Sequence, residues 1–132
     1  MKVAISGGFD PIHVGHIRLI QAAANMGEVW VIMNNDAFLM RKKGYVFMHS
    51  QERQEILAAI EGVACVWESE SEDDTVADDL EEMEPDIFAN GGDRTEGNPK
   101  ESEVCQRLGI KEVFNVGGGK IQSSSDLVGR MK

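Results

Sequence analysis

Cysteine is scarce: Cys65 and Cys105 are the only two. That is too few for a disulfide framework or a four-ligand zinc site, and both read as reduced thiols of a cytoplasmic protein. No apolar run is long enough to cross a bilayer. The opening residues, Met1-Lys2-Val3-Ala4-Ile5-Ser6, meet glycine too soon to form a signal peptide. Positive charge is short as well, with 13 Lys and Arg against 23 Asp and Glu and a net charge of −10. Nucleic acid and anionic membranes need basic stripes, so neither is an expected partner. The deficit is local, because Glu68 to Glu84 holds 10 acids and no base. A neutral remainder can still hold a phosphate site. Repeats and linkers are absent too.

What is present is the balance of a soluble globular chain. At 132 residues, 42% hydrophobic and 27% charged, residues 1–132 read as one domain. Strands are expected at Val3–Ser6, Glu28–Met33, Val63–Trp67, Asp86–Asn90 and Lys111–Val116, where β-branched and apolar residues cluster. Helices are expected at Gly15–Met26, from an N-cap at Ser50 through Ile60, at Thr75–Glu84, at Pro99–Leu108 and from Ser123 onward. Asn34–Met48 reads as mostly irregular. Strand-helix alternation with near-continuous apolar strands predicts an α/β fold, a doubly wound five-stranded parallel sheet. Ligands of such sheets bind beyond the carboxyl ends of the strands. Every distinctive segment lies there: Gly7 to His16, Asn34 to Gly44, Asn90 to Arg94, and Gly117 to Ser125.

The sharpest of them is Gly7-Gly8-Phe9-Asp10-Pro11-Ile12-His13-Val14-Gly15-His16. Glycines allow a tight turn and close approach of a ligand. Two imidazoles three residues apart share a side where a helix begins, and helix-end amides join them in facing an anion. The histidines could instead be core residues, metal ligands or surface residues. A pair placed after a Gly-Gly turn favours the phosphate reading.

This segment resembles the His-x-Gly-His signature of the nucleotidyltransferase superfamily that includes glycerol-3-phosphate cytidylyltransferase and the adenylyltransferase that makes ADP-heptose. The resemblance implies a Rossmann-like nucleotidyltransferase fold. The activity implied is transfer of a nucleotidyl group from ATP or CTP to a small sugar or polyol phosphate, releasing pyrophosphate, with Mg²⁺. It makes His13 and His16 catalytic, and puts Gly7, Gly8, Phe9 and His16 at the nucleotide. Asp10 orients the turn or the acceptor. Small members of that family are commonly homodimers.

Three further segments and Arg53 carry the resemblance. Gly117-Gly118-Gly119-Lys120-Ile121-Gln122-Ser123-Ser124-Ser125 is similar to the family's triphosphate-binding stretch, with Ser123, Ser124 and Ser125 as phosphate ligands. Ser123 with Asp126 also has the spacing of a helix cap, and both readings can hold. The chain lacks the Arg-Thr-Glu-Gly that precedes this stretch in cytidylyltransferases, which leaves the base open. Arg41-Lys42-Lys43 stands where the family places a phosphate-reaching cation, so Lys43 is assigned to catalysis and Lys42 to the substrate. A solvated charge run is the competing reading. Arg53 shares an expected helix face with Ile56, Leu57 and Ile60. It either snorkels or, at the matching family position, points at substrate phosphate. Asn90, Gly91, Asp93 and Arg94 flank the nucleotide in the family, although a tight turn has the same composition. The acidic segment reads as a solvated helix and loop.

Overall fold

The computed structural model describes residues 1–92 and 97–118. In chain order these form β1 (Lys2–Gly7), α1 (Val14–Ala24), β2 (Glu28–Met33), α2 (Asp36–Lys43) and α3 (Ser50–Ala58). They continue as β3 (Val63–Glu68), α4 (Ala77–Met83), β4 (Ile87–Gly91), α5 (Pro99–Leu108) and β5 (Lys111–Val116). The five parallel strands lie in the order β3-β2-β1-β4-β5. This is the doubly wound sheet that the alternation predicts. The helix expected from Ser123 onward lies outside the described residues.

Side chains of β1 alternate between two cores, as a pleated strand requires. Val3 and Ile5 join Val29, Val31 and Met33 under Ile20 and Ala23 of α1 and Leu57 of α3. Ala4 turns the other way, with Ile32 and Phe88, under Leu80 of α4 and Val104 of α5. Helices therefore cover both faces. Truncating a fully buried ring such as Phe88 to Ala costs about 3–5 kcal/mol in cores of this kind.

One expectation needs correction. Asn34–Met48 is not mostly irregular, since it contains α2. Asn35 caps that helix by accepting from the Phe38 amide at 2.7 Å, and Gly44 ends it in the left-handed conformation. Two details of α3 also differ. His49 occupies the N-cap position rather than Ser50, and Ile56 is exposed while Arg53 and Leu57 are buried.

The order reverses between β1 and β4, which are neighbours in the sheet but far apart in sequence. Their ladder pairs only Val3 with Ile87 and Ala4 with Phe88, whereas β1 pairs with β2 along its whole length. The ladder thus stops short of the carboxyl ends at Gly7 and Gly91. A crevice at that switch point is where an open α/β sheet receives its ligand.

Candidate active site

The chain leaves β1 through Gly8, where an added Cβ would come 3.0 Å from Leu39. It turns at Phe9, whose φ of 53° is the left-handed region, and whose ring is only 2% exposed. The ring belongs to the core and meets His16 edge-on at 4.8 Å. Phe9 therefore seats a histidine, and only its backbone is left to face a nucleotide.

His13 caps α1. Its Nδ1 accepts from the Gly15 amide at 3.1 Å, and its own amide donates to Nδ1 of His16 at 3.1 Å. The rings stack at 3.9 Å. Gly15 is required, because a Cβ there would lie 2.9 Å from Cε1 of His13. In both rings Nδ1 is an acceptor, so the proton of the neutral form sits on Nε2. Burial and the neighbouring His13 push the His16 pKa down to about 3. His16 is thus a neutral imidazole with an Nε2–H donor at physiological pH.

Asp10 is wholly buried. Its carboxylate accepts from the amides of Phe47, at 2.7 Å, and Met48. Lys43 reaches the same turn, donating from Nζ to the Asp10 carbonyl at 3.1 Å, with Oδ2 at 3.9 Å. Of the three cations in the expected run, Lys43 is the one set against the histidine turn. Arg41 and Lys42 are exposed beside the Phe38 ring.

Arg53 does not snorkel, being 0% exposed. Nε donates to the Met48 carbonyl at 2.9 Å, and Nη1 donates to those of Gly8 and Asn34 at 2.8 and 2.7 Å. Nη2 donates to Oδ1 of Asp36 at 2.6 Å. Partial burial opposes ionisation of Asp36, but hydrogen bonds from Arg53, His49 and the Ser50 amide win and hold its pKa below the ordinary value.

Across the crevice, Asn90 is buried and donates to Oε2 of Glu112 and the Val113 carbonyl, both at 3.3 Å. Gly91 packs between Leu19 and the Val116 carbonyl. Asn115 has a φ of 55°, and with its side-chain amide turned to put the nitrogen toward these acceptors it donates to the carbonyls of Gly92 at 2.6 Å and Gly118 at 3.1 Å. It joins the ends of β4 and β5. Asp93, Arg94, Ser123, Ser124 and Ser125 lie outside the described residues.

The acidic segment is more than a solvated helix. Asp79 is buried and accepts from Trp67 Nε1 at 3.1 Å and Ser69 Oγ at 2.6 Å. Among the described residues no three His, Cys, Asp or Glu side chains form a metal-holding group. Each oxygen of the Asp10 carboxylate accepts from one backbone amide. No helix of the described residues is long and apolar enough to cross a membrane.

Asp36 and Asn115 are structural contributors that the sequence did not single out. Asp36 carried one visible signal, the Asn35-Asp36 start of a capped helix, and Asn115 carried none.

Comparison with known proteins addresses the family and the fold. The bifunctional protein HldE of Syntrophotalea carbinolica is 36% identical over 98% of this chain and 26% of its own length. That of Methylobacillus flagellatus is 36% identical over 88% of this chain and 22% of its own length. The chain thus spans about a quarter of the curated relatives it matches. In fold it is similar to a lipopolysaccharide core biosynthesis protein from Thermoplasma volcanium, with a TM-score of 0.74 and 21% identity over 91% of this chain and 98% of that one. The sequence model of the cytidylyltransferase-like family matches residues 4–114. Because that match runs from the first strand into the last, the chain is nucleotidyltransferase-like and belongs to the cytidylyltransferase-like family.

Proposed function

We propose that this chain transfers a nucleoside monophosphate from ATP or CTP to a small sugar or polyol phosphate, releasing pyrophosphate. The observation that carries the reading is the histidine pair at the end of β1. Two Nδ1 atoms occupied by backbone amides make each ring, in its neutral form, an Nε2–H donor. Such a pair is made to bind phosphate oxygens without needing its own protonation.

An oxygen of the acceptor phosphate attacks the α-phosphorus in line. A new P–O bond forms as the bond to the β-phosphate oxygen breaks, and its electron pair leaves with pyrophosphate. The reaction needs no protein nucleophile, because positioning and charge stabilisation carry it. His13 and His16 donate to the α-phosphate oxygens as charge grows there. Lys43, held at the same turn, neutralises the phosphates, with Lys42 outside it toward the acceptor. Gly7, Gly8 and the Phe9 backbone let the nucleotide approach. Asn90, Gly91, Asp93 and Arg94 border the base, and Ser123, Ser124 and Ser125 hold the triphosphate tail. Asp10 fixes the turn. Mg²⁺ would come with the nucleotide and offset part of the triphosphate charge. The setting is cytoplasmic.

The test is pyrophosphate release with Mg²⁺, each of the four nucleoside triphosphates and a panel of sugar and polyol phosphates. One or two pairs are expected to react, with ATP or CTP as donor. Hydrolysis independent of acceptor rejects transfer. Tight nucleotide binding with no pyrophosphate from a broad panel would mean a non-catalytic nucleotide sensor.

A further inference from the structure

We propose that Arg53 is a positioning residue of the transfer site: its buried guanidinium clamps three binding-edge segments into one unit and touches no substrate. The proposal rests on the transfer reading above and departs from a phosphate-binding role for this arginine.

The hydrogen bonds argue it. A guanidinium has five N–H donors in a fixed fork. Four are used inside the protein, and the residue has no exposed surface. The acceptors come from separate segments: Gly8 after β1, Asn34 and Asp36 after β2, and Met48 before α3. With the guanidinium fully buried, a phosphate could reach the remaining donor only if the surrounding chain moved aside.

The grip is completed from the other side. Asp10 takes the amide of Met48 and Arg53 takes its carbonyl, so residue 48 is held at both its N–H and its C=O. Gly8, Phe9 and Asp10 lead directly into His13. The orientation of the imidazoles and the place of the 45–48 loop are therefore set by the same two buried charges. Lys43 contrasts with Arg53, since its side chain is 17% exposed at the same turn. The cation open to a phosphate is the lysine, and the closed one is the arginine.

The test compares wild type, Arg53→Lys and Asp36→Asn, using the nucleotide and acceptor that wild type turns over. Lysine keeps the charge and loses the fork. Expected for Arg53→Lys is a fall in kcat of about 10²-fold, the scale of a displaced catalytic group. KM for the nucleotide should stay within about threefold, which separates orientation from binding. Hydrogen exchange should rise together in residues 7–16, 33–36 and 45–49. Asp36→Asn leaves the arginine in place and decides the matter if Arg53→Lys does not fold. It should raise exchange in the same segments and lower kcat by a smaller factor, and the double variant should be no worse than Arg53→Lys. A kept kcat with nucleotide KM up about tenfold or more, and with the segments still protected, identifies a phosphate ligand and overturns the proposal. Exchange rising only within 49–58 also overturns it, because the arginine then merely supports α3. No pyrophosphate from wild type defeats the transfer reading itself. The clamp is then upheld by exchange rising in all three segments at unchanged ATP and CTP affinity, and refuted by its absence.

Discussion

The backbone amide of His13 donates to Nδ1 of His16 at 3.1 Å, so one histidine of the pair holds the other through a peptide as well as through the stacked rings. Removing His16 therefore takes away a cap and a donor together. Expected for His16→Ala is a loss of about 0.5–2 kcal/mol in stability from the cap. The accompanying fall in kcat is ~10²–10³ from the missing donor. His16→Asn offers an oxygen to the same amide, so it should recover stability but not turnover. Thermal melts and pyrophosphate release separate the two effects. Near wild-type kcat in either variant would remove His16 from the chemistry.

The depressed His16 pKa fixes the sign of a pH effect. In the folded state the ring stays neutral down to about pH 3, while in the unfolded chain it takes a proton near its ordinary 6.5. The unfolded state thus binds more protons in that window, and stability falls as pH drops from 6.5 toward 3. The slope from one such group is at most about 1.4 kcal/mol per pH unit. Asp36 and Asp73, whose pKa values are lowered from 3.8, add their own loss as pH falls through 3.8, within the lower end of that range and beyond it. Tm measured from pH 7 to pH 4.5 should fall more steeply for wild type than for His16→Asn. Parallel curves would contradict the assignment.

Asn115 ties the ends of β4 and β5 from a left-handed backbone. Asn115→Ala loses both hydrogen bonds and keeps the unfavourable φ, for an expected cost of about 1–3 kcal/mol. Asn115→Gly loses the same bonds and relieves about 1–2 kcal/mol of backbone strain. Urea unfolding should rank the glycine variant above the alanine one. The reverse order would mean that the side-chain bridge is not what holds this corner.

The two thiols should differ in reactivity. Burial, and then the charges of Glu112 and Glu101, push the Cys105 pKa up to about 11. Cys65 is partly exposed. Iodoacetamide should alkylate Cys65 in the native protein, and should reach Cys105 only on unfolding. Mass spectrometry of digested samples reads both sites, and prompt labelling of Cys105 in native protein would be the contrary result.

What the sequence made legible was local. The strands, the α5 limits and the histidine turn are written in runs of neighbouring residues. Helix α2 escaped periodicity because Leu39 is its one buried residue, so it has no apolar stripe to read. Its ends were still signalled by Asn35 and Gly44. The partners of Asp10 and Arg53 were not legible, because Phe47 and Gly8 lie 37 and 45 residues away. A charged residue on an apolar helix face announces that something must satisfy it, without saying whether that is a ligand or the chain itself.

Phe9 combines a left-handed backbone with a ring in the core. For a bulky residue that conformation is strained, and it persists because burial of the ring outweighs it. Whoever sets out to make this protein more heat-resistant will find the turn an obvious target. Relaxing it would realign the Gly8 carbonyl under Arg53 and the ring under His16. Gains in durability made there should come at the expense of turnover, so thermostabilisation belongs at the far end of the sheet, where the strands begin.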